Sequence, residues 1–237
     1  MHVPDGFIDA PTSVATGVVA AAGVAVCVRK ARQELDERTA PMAGLVAAFV
    51  FAVQMLNFPV AAGTSGHLLG GALAAILVGP YTGALCVAVV LIIQAVLFAD
   101  GGITALGTNI TLMALTTATV GWLVFRAVRG LAGWSSRWSR SGRSRRPVVA
   151  AAFVAALLSV PASALVFVLI YVIGGTAPVS LDAVVAAMLG VHGLIGIGEA
   201  VITALTVGAV LAVRPDLVYG ARDTLPALTL RTSPVPS

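Results

Sequence analysis

The chain has 237 residues and a formal net charge of +4, and 59% of its residues are hydrophobic while only 10% are charged. A soluble domain carries about 25% charged residues, so this composition excludes an ordinary soluble protein and indicates a chain that lies in a lipid bilayer. The basic balance is then expected to face anionic lipid, and we expect no nucleic acid among its partners.

Seven apolar segments follow one another along the chain, most of them long enough to cross a bilayer as a helix. The fold class predicted is an all-α membrane protein, a polytopic bundle of about seven transmembrane helices near residues 13–28, 42–57, 63–79, 81–99, 103–126, 148–173 and 185–213. The third segment is short, and the last is long enough to begin as an interfacial or re-entrant piece. Residues 1–213 are predicted to form one transmembrane domain, with a metal-binding N-terminal segment over residues 1–12, and residues 214–237 a cytoplasmic tail.

The positive charges predict the orientation of this bundle. All 14 Lys and Arg residues fall after the first, fifth and seventh spans, within residues 29–38, 126–146 and 214–231. With seven spans these three segments share one side, and the opposite side carries Asp5, Asp9, Asp100 and Asp182 instead. The positive-inside rule therefore predicts an N-terminus outside and a C-terminus in the cytoplasm of a multi-pass protein of the cell membrane. The first span is not expected to be a cleavable signal, because Arg29 and Lys30 follow its apolar core.

The first two residues, Met1 and His2, form a candidate metal chelate. The free α-amine, the backbone nitrogen of His2 and its imidazole can close two fused rings around one divalent transition metal. A planar set of four nitrogens suits Ni(II), Cu(II) or low-spin Co(II), whereas Zn prefers a tetrahedron. The chelate requires that Met1 is the true N-terminus, and we expect excision of Met1 to be poor before a bulky His2.

A fourth nitrogen is needed, and His67 is the candidate. The chain has three histidines, and His67 follows the Gly- and hydroxyl-rich stretch GTSG at residues 63–66. The glycines allow tight turns that bring the N-terminal segment close. Thr64 and Ser65 either orient the imidazole or cap the following helix.

Four blocks of sequence resemble a known family. They are MHVPDGFI at residues 1–8, FAVQMLNFPV running into GTSGHLLGG at residues 51–60 and 63–71, LFADGGITALG at residues 97–107 and HGLIGIGEA at residues 192–200. Together with the unusual N-terminus they resemble the CbiM/NikM family, the substrate-binding subunits of cobalt and nickel energy-coupling-factor (ECF) ABC transporters. The similarity extends from residue 1 to about residue 213.

The resemblance implies an S component that binds its metal through its own N-terminus. The metal ligands it implies are the amine of Met1, the backbone nitrogen and imidazole of His2, and the imidazole of His67. It also implies a CbiQ-type transmembrane coupling subunit, a CbiO-type ATPase and a small CbiN-type membrane subunit as partners. The transported ion is then Co(II) or Ni(II), and no resident cofactor is expected.

Two other classes of function stay open from the residues alone. A stand-alone divalent-metal channel or secondary carrier needs a continuous polar path, whereas the polar residues here cluster near the outer side. A membrane metalloenzyme needs an open coordination position, whereas the planar nitrogen site is closed. No HExxH, CxxC or P-loop is present, so the chain is not expected to be an enzyme or to hydrolyse ATP by itself.

Other polar residues of the apolar segments are expected to serve the structure. Asp5 lies in a Pro-Asp-Gly sequence typical of a tight turn, which would fold Met1 and His2 back into the bundle. His192 and Glu199 are seven residues apart, hence on one helix face. Glu199 needs a partner, and we favour a structural role over one in transport. Asn57 and Asn109 are predicted to form interhelical hydrogen bonds. Cys27 and Cys86 are expected to be packing residues without a disulfide. Residues 134–143 are predicted to form either an interfacial helix or a basic linker.

Overall fold

The computed structural model describes residues 1–37, 39–56, 58–59, 65–134 and 145–222. It is built from helices: α1 (Ala10–Ala31), α2 (Ala40–Gln54), α3 (Gly71–Val78), α4 (Pro80–Leu97), α5 (Leu106–Asn109), a π-helical segment (Ile110–Thr116), α6 (Thr117–Trp134), α7 (Arg146–Gly174) and α8 (Leu181–Val213). Two short strands, β1 (Phe58–Pro59) and β2 (Ser65–Gly66), pair antiparallel between α2 and α3. The all-helical class predicted from the sequence is therefore correct apart from this two-residue ladder.

Local sequence signals set where the long helices begin. Asp9 caps α1 by accepting a hydrogen bond from the backbone of Thr12, and Ser180 accepts one from Ala183 at the start of α8. Proline occupies the first turn of α1, α2, α4 and α7, where the missing N–H costs no hydrogen bond.

Five helical stretches are long and apolar enough to cross a membrane: Ala10–Ala31, Pro80–Leu97, Leu106–Leu131, Arg146–Gly174 and Leu181–Val213. Their exposed surfaces are apolar as well, with side chains such as Val14, Leu169 and Leu205 more than half exposed. Helix α2 is apolar but shorter, at 15 residues. This pattern is that of a multi-pass membrane protein, while the count of about seven spans stays a prediction.

The third predicted span, residues 63–79, is not one continuous helix. Residues 67–70 are neither helix nor strand, and α3 contains only eight residues, all of them buried. At 1.5 Å per residue α3 measures about 12 Å, less than half the thickness of a hydrocarbon core. Gly70 allows the chain to turn into α3, because it adopts φ +79° and lies against the side chain of Val50.

Two buried carboxylates stabilise the N-terminal ends of α3 and α4. Near the middle of α8, Glu199 accepts hydrogen bonds from the backbone N–H groups of Leu69 and Gly70, just before α3. Glu34 accepts bonds from Tyr81 and Thr82 at the start of α4. Carboxylates are favourable there because a helix N-terminus has unpaired N–H groups and a positive dipole end.

The residues after α8 pack back onto the bundle. Arg129 of α6 donates a hydrogen bond to the carbonyl of Gly220, and Arg222 donates one to the carbonyl of Glu34. Basic residues that lie far apart in the sequence therefore meet at one end of the bundle. Residues 223–237, the rest of the predicted tail, lie outside the described residues, as do most of the 134–143 segment and Asn57.

Candidate metal centre

The N-terminal segment is folded into the interior at the other end of the bundle. Met1 and Val3 are fully buried, and His2 is 3% exposed. The reversal is made at Asp5-Gly6, where Gly6 has φ +74° and the N–H of Phe7 bonds to the carbonyl of Pro4. The turn predicted at this place is therefore present, and it directs the first three residues inward.

Backbone and side-chain hydrogen bonds fix this segment in one register. The amide of Asn109 accepts a bond of 2.8 Å from the N–H of Val3 and donates one of 3.2 Å to its carbonyl. That carbonyl also accepts a bond of 2.8 Å from the N–H of Gly102. A Cβ at Gly102 would collide with the backbone nitrogen of Asp5, so the close approach requires glycine there. Asn109 thus holds the N-terminal segment rather than another helix.

The chain that follows is anchored to the end of α7. The N–H of Asp9 bonds to the carbonyl of Gly174 at 2.7 Å, and the N–H of Thr176 bonds to the carbonyl of Phe7 at 3.0 Å. The ring of Phe7 packs against those of Phe167 and Tyr171. These contacts bury apolar surface on both sides of the turn and hold the first residues against the core.

The amine of Met1 meets the imidazole of His67. The amino nitrogen lies 2.8 Å from Nε2 of His67, and both residues are buried. Nδ1 of His67 lies 2.8 Å from the carbonyl of Leu68, to which it donates, so the proton is on Nδ1 and Nε2 presents a lone pair. Two of the predicted ligand nitrogens are therefore brought together from positions 66 residues apart.

Burial holds these nitrogens in their neutral, metal-binding form. It lowers the pKa of the Met1 amine from 8.0 to about 4. The pKa of His67 is lowered well below its usual 6.5, first by burial and then by the nearby amine. Burial also lowers the pKa of His2, against the opposing effect of the Asp100 carboxylate. At neutral pH each of the three groups is therefore uncharged and has one nitrogen lone pair available.

His2 is the second histidine of the group, and its ring lies beside that of His67. The two ring centroids are 4.6 Å apart. Nδ1 of His2 lies 2.5 Å from Oδ1 of Asp100, while within the described residues its buried Nε2 has no hydrogen-bond partner. A chelate with the His2 backbone nitrogen needs Nδ1, because only that atom closes a six-membered ring. In this structure Nδ1 is directed at Asp100 instead, so such a chelate would require the ring to turn about Cβ–Cγ and its one proton to move to Nε2.

Asp100 belongs to the site, although the sequence marked it only as an outer-side charge. It lies in a tight turn between Ala99, which has φ +51°, and Gly101, which has φ +90°. Left-handed backbone at a residue other than glycine is costly and tends to be retained where a side chain must be held in a fixed place. The signal available in the sequence was the Asp-Gly-Gly block directly after an apolar segment.

Glu199 supports the site from α8, and His192 lies on the same helix. By accepting bonds from Leu69 and Gly70, Glu199 fixes the non-helical backbone that follows His67, which is the structural role favoured from the sequence. His192 is buried, and its Nδ1 donates to the carbonyl of Met188 one turn earlier. Its Nε2 has no hydrogen-bond partner in the described part of the chain. Thr64 lies outside the described residues, and so does the side chain of Ser65.

The site is unusual in its choice of donors. Among the described residues, no three His, Cys, Asp or Glu side chains converge in the way that holds most protein-bound metals. The nitrogens that do converge are a terminal amine and imidazoles, and a backbone nitrogen lies beside them. Such a donor set is strongly basic and suits late first-row transition metals more than Mg²⁺ or Ca²⁺.

The sequence and the fold of this chain are similar to those of known metal transport proteins. Residues 2–217 match the profile of the CbiM family, described as the cobalt uptake substrate-specific transmembrane region. A protein of Haloquadratum walsbyi, named as a candidate metal transport protein, is 39% identical over 92% of this chain and 94% of its own length. The fused nickel transport protein NikMN of Rhodobacter capsulatus is 38% identical over 63% of this chain and 41% of its own length. A crystal structure of a truncated transition metal transporter superposes with a TM-score of 0.79 at 28% identity, over 90% of this chain and 99% of that one.

Proposed function

Because the chain belongs to the CbiM family of cobalt and nickel transport proteins, we propose that it is the substrate-binding S component of an ECF-type transporter and captures Co(II) or Ni(II) with high affinity. The metal ligands proposed are the Met1 amine, the backbone nitrogen and Nδ1 of His2, and Nε2 of His67. The observation that carries this proposal is the 2.8 Å approach of the Met1 amine to Nε2 of His67 inside the bundle.

The chemistry of a terminal X-His unit explains why this approach matters. The amine and the adjacent backbone nitrogen form a five-membered ring with a metal, and the backbone nitrogen and Nδ1 form a six-membered one. The imidazole of His67 then supplies the fourth nitrogen from across the bundle. With the amine and imidazoles already neutral, the metal displaces a proton only from the backbone nitrogen.

Capture is proposed to take place at the outer face of the cell membrane. The N-terminal segment, the turn at Asp100 and the start of α8 lie at the end of the bundle opposite Arg129 and Arg222. The positive-inside rule then supports an N-terminus outside and the basic end in the cytoplasm. This orientation directs the candidate site toward extracellular metal.

Active uptake requires partners under this proposal. The chain has no P-loop, so the energy for accumulation has to come from ATPase subunits through a membrane coupling subunit. The small residues Gly44, Ala48 and Ala52 of α2 are exposed at a spacing that lets another helix approach closely, which fits such a docking role. A channel or secondary carrier would move metal without those subunits.

One experiment separates these readings. The native-terminus protein is purified without chelators, its metal content is measured, and Ni(II) uptake into proteoliposomes is followed with and without coupling and ATPase subunits. The proposal expects one bound metal per chain, and uptake that needs both the added subunits and ATP. Uptake by the protein alone would favour the channel or carrier, and a protein that neither retains nor rebinds Ni(II) or Co(II) would overturn the S-component function.

A further inference from the structure

The side chain of Met1 lies inside the bundle, although metal coordination needs only the amine of this residue. Met1 is 0% exposed and is one of the largest fully buried side chains among the described residues. Chain termini usually lie at the surface and are poorly ordered unless other contacts hold them. Any residue at position 1 would supply the same amine, so coordination alone does not account for the burial of a methionine side chain.

The hydroxyl group of Ser163 meets the sulfur of this side chain. Its Oγ lies 3.3 Å from Sδ of Met1 and 2.8 Å from the carbonyl oxygen of Leu112, and its one hydrogen can serve either acceptor. Ser163 belongs to α7 and is itself 0% exposed, and Leu112 belongs to the π-helical segment. The side chain of Met1 therefore reaches a polar contact between α7 and the π-helical segment.

The start of the π-helical segment is linked to the chain on both sides of His2. Asn109, directly before the segment, bonds to the backbone of Val3. Three residues later, Leu112 accepts a bond from the hydroxyl that meets Met1. π-helical turns within helices occur frequently at functional sites. Residues 1 and 3 are therefore both linked to one short stretch of helix, which limits the movement of the residue between them.

We propose that Met1 is an anchor as well as a ligand: its buried side chain, held against Ser163, sets the position of the amine and makes the identity of residue 1 a determinant of metal affinity. Ser163 is then a positioning residue. The effect on metal binding rests on the proposed function, whereas the anchor is a property of the metal-free chain. Ordering a free terminus costs conformational entropy, and an anchor that orders it beforehand removes that cost from metal binding.

A series of full chains that differ only in residue 1 tests the anchor. A removable N-terminal fusion is cleaved to leave Met1, Met1→Leu or Met1→Ala, each with a free amine, so all four proposed nitrogens are kept. Calorimetric titration with Ni(II) measures affinity. In the metal-free chains, the rate at which an amine-selective acylating reagent labels the terminus, followed by mass spectrometry, measures how often the amine leaves the interior.

Met1→Ala is expected to weaken Ni(II) affinity about 10- to 100-fold, because only the fraction of chains with a docked terminus can bind. Met1→Leu keeps most of the apolar volume and should lose less than about fivefold. The terminus of metal-free Met1→Ala should be labelled about tenfold faster than that of the native chain, since local opening becomes easier. Circular dichroism should show the same helix content in all three chains.

Ser163→Ala tests whether this serine acts through Met1. By itself the substitution should weaken Ni(II) affinity about three- to tenfold. Combined with Met1→Ala it should cause no further loss, because the side chain that it positions is already absent. The matched control is Ser159→Ala, one turn earlier on α7 and equally buried, whose hydroxyl donates to Ala156 of its own helix. The control should stay within about twofold of native affinity.

Native Ni(II) affinity in Met1→Ala would overturn the proposal, whatever the labelling rate. Equal losses from Ser163→Ala with and without Met1→Ala would overturn the positioning role of the serine. A chain that binds neither Ni(II) nor Co(II) with Met1 in place would overturn the proposed function, and the labelling rates of the metal-free chains would then decide the anchor alone. The residue 1 series decides even where Ser163→Ala fails to fold, because a substitution at the chain end leaves the hydrogen bonds of the helices intact.

Discussion

The carboxylate of Glu199 accepts a hydrogen bond of 2.6 Å from the backbone N–H of Leu69, two residues after His67. The bond joins the middle of α8 to the non-helical backbone that carries a proposed metal ligand. It also places a negative charge at the start of α3, where the helix dipole favours one. The position of His67 therefore depends on a residue that is not itself a proposed metal ligand.

Replacing Glu199 by glutamine is expected to weaken this support. The amide has one oxygen for the two N–H groups of Leu69 and Gly70, so one N–H faces another donor, at a cost of about 1.5–3 kcal/mol. Displacement of His67 should weaken Ni(II) affinity by about 10- to 100-fold. Thermal unfolding and calorimetric titration measure the two effects. Asp182→Asn, on the same helix but exposed, is the control, and native affinity in Glu199→Gln would contradict the role assigned to Glu199.

A free amine at Met1 is predicted to be essential. Adding one residue before Met1, or acetylating the amine, removes a ligand and both chelate rings, so high-affinity binding should disappear while the helices remain folded. Calorimetry and circular dichroism measure binding and fold. The control is the same extended protein after proteolytic removal of the extra residue. If the uncleaved form binds as tightly as the cleaved one, the amine is not a ligand.

The three histidines are predicted to differ in importance. His2→Ala and His67→Ala each remove a nitrogen of the proposed set and should abolish high-affinity binding. His192→Ala should leave binding mostly intact, because His192 lies on α8 and is not one of the four proposed nitrogen donors. Titration of the three variants with Ni(II) measures this. Equal loss in His192→Ala and His67→Ala would mean that the ligand assignment is wrong.

Asn109 is predicted to act by holding the N-terminal segment. In Asn109→Ala the buried N–H of Val3 loses its acceptor, at a cost of about 1–3 kcal/mol, and metal affinity should fall with it. The neighbouring Thr108→Val is a matched control, since it removes a buried bond to Thr16 without touching the segment. It should lower the melting temperature and leave Ni(II) affinity near native. Equal affinities in the two variants would argue against this role of Asn109.

The pH dependence of binding follows from the buried amine and imidazoles. If the amine and the imidazoles had their reference pKa values, Ni(II) affinity would fall as the pH decreased from about 8 to 6.5. Burial lowers the pKa of the amine to about 4 and that of His67 well below 6.5, so protons should compete strongly only below about pH 6. Between pH 8 and 6 the change of Ni(II) affinity with pH should correspond to the release of one proton, from the backbone nitrogen of His2. Titrations from pH 8 to 5 measure this, and a flat profile to pH 5 would indicate oxygen ligands.

The same shifts predict how the metal-free protein responds to acid. The unfolded chain binds a proton at the Met1 amine near pH 8, whereas the folded chain binds it only near pH 4. Because the unfolded state holds more protons between these values, stability should decrease as pH falls from 8 to 4 and level off below. Melting temperatures of metal-free protein at a series of pH values measure this, and the N-acetylated protein, whose terminus does not titrate, should show a smaller decrease.

The sequence by itself determined the class of the fold and the identity of the proposed ligands. Long apolar runs with few charges leave the chain little choice except membrane helices, since unpaired backbone groups are costly in hydrocarbon. The X-His start is a local chelate whose ring sizes are fixed by covalent structure. The turn at Asp5-Gly6 was equally local, because a Pro-Asp-Gly sequence sets its backbone dihedrals within a few residues.

Only the tertiary structure decided what surrounds those nitrogens. The pairing of Val3 with Asn109, of His2 with Asp100 and of Leu69 with Glu199 joins residues about 100 or more positions apart. No periodicity in the sequence specifies such pairs, because each depends on how several helices pack at once. For the same reason an apolar run at residues 63–79 resembled a complete span. Instead, the buried partners Glu199 and Gln54 bind the backbone of Leu69, which lies outside the helix and near the candidate metal centre.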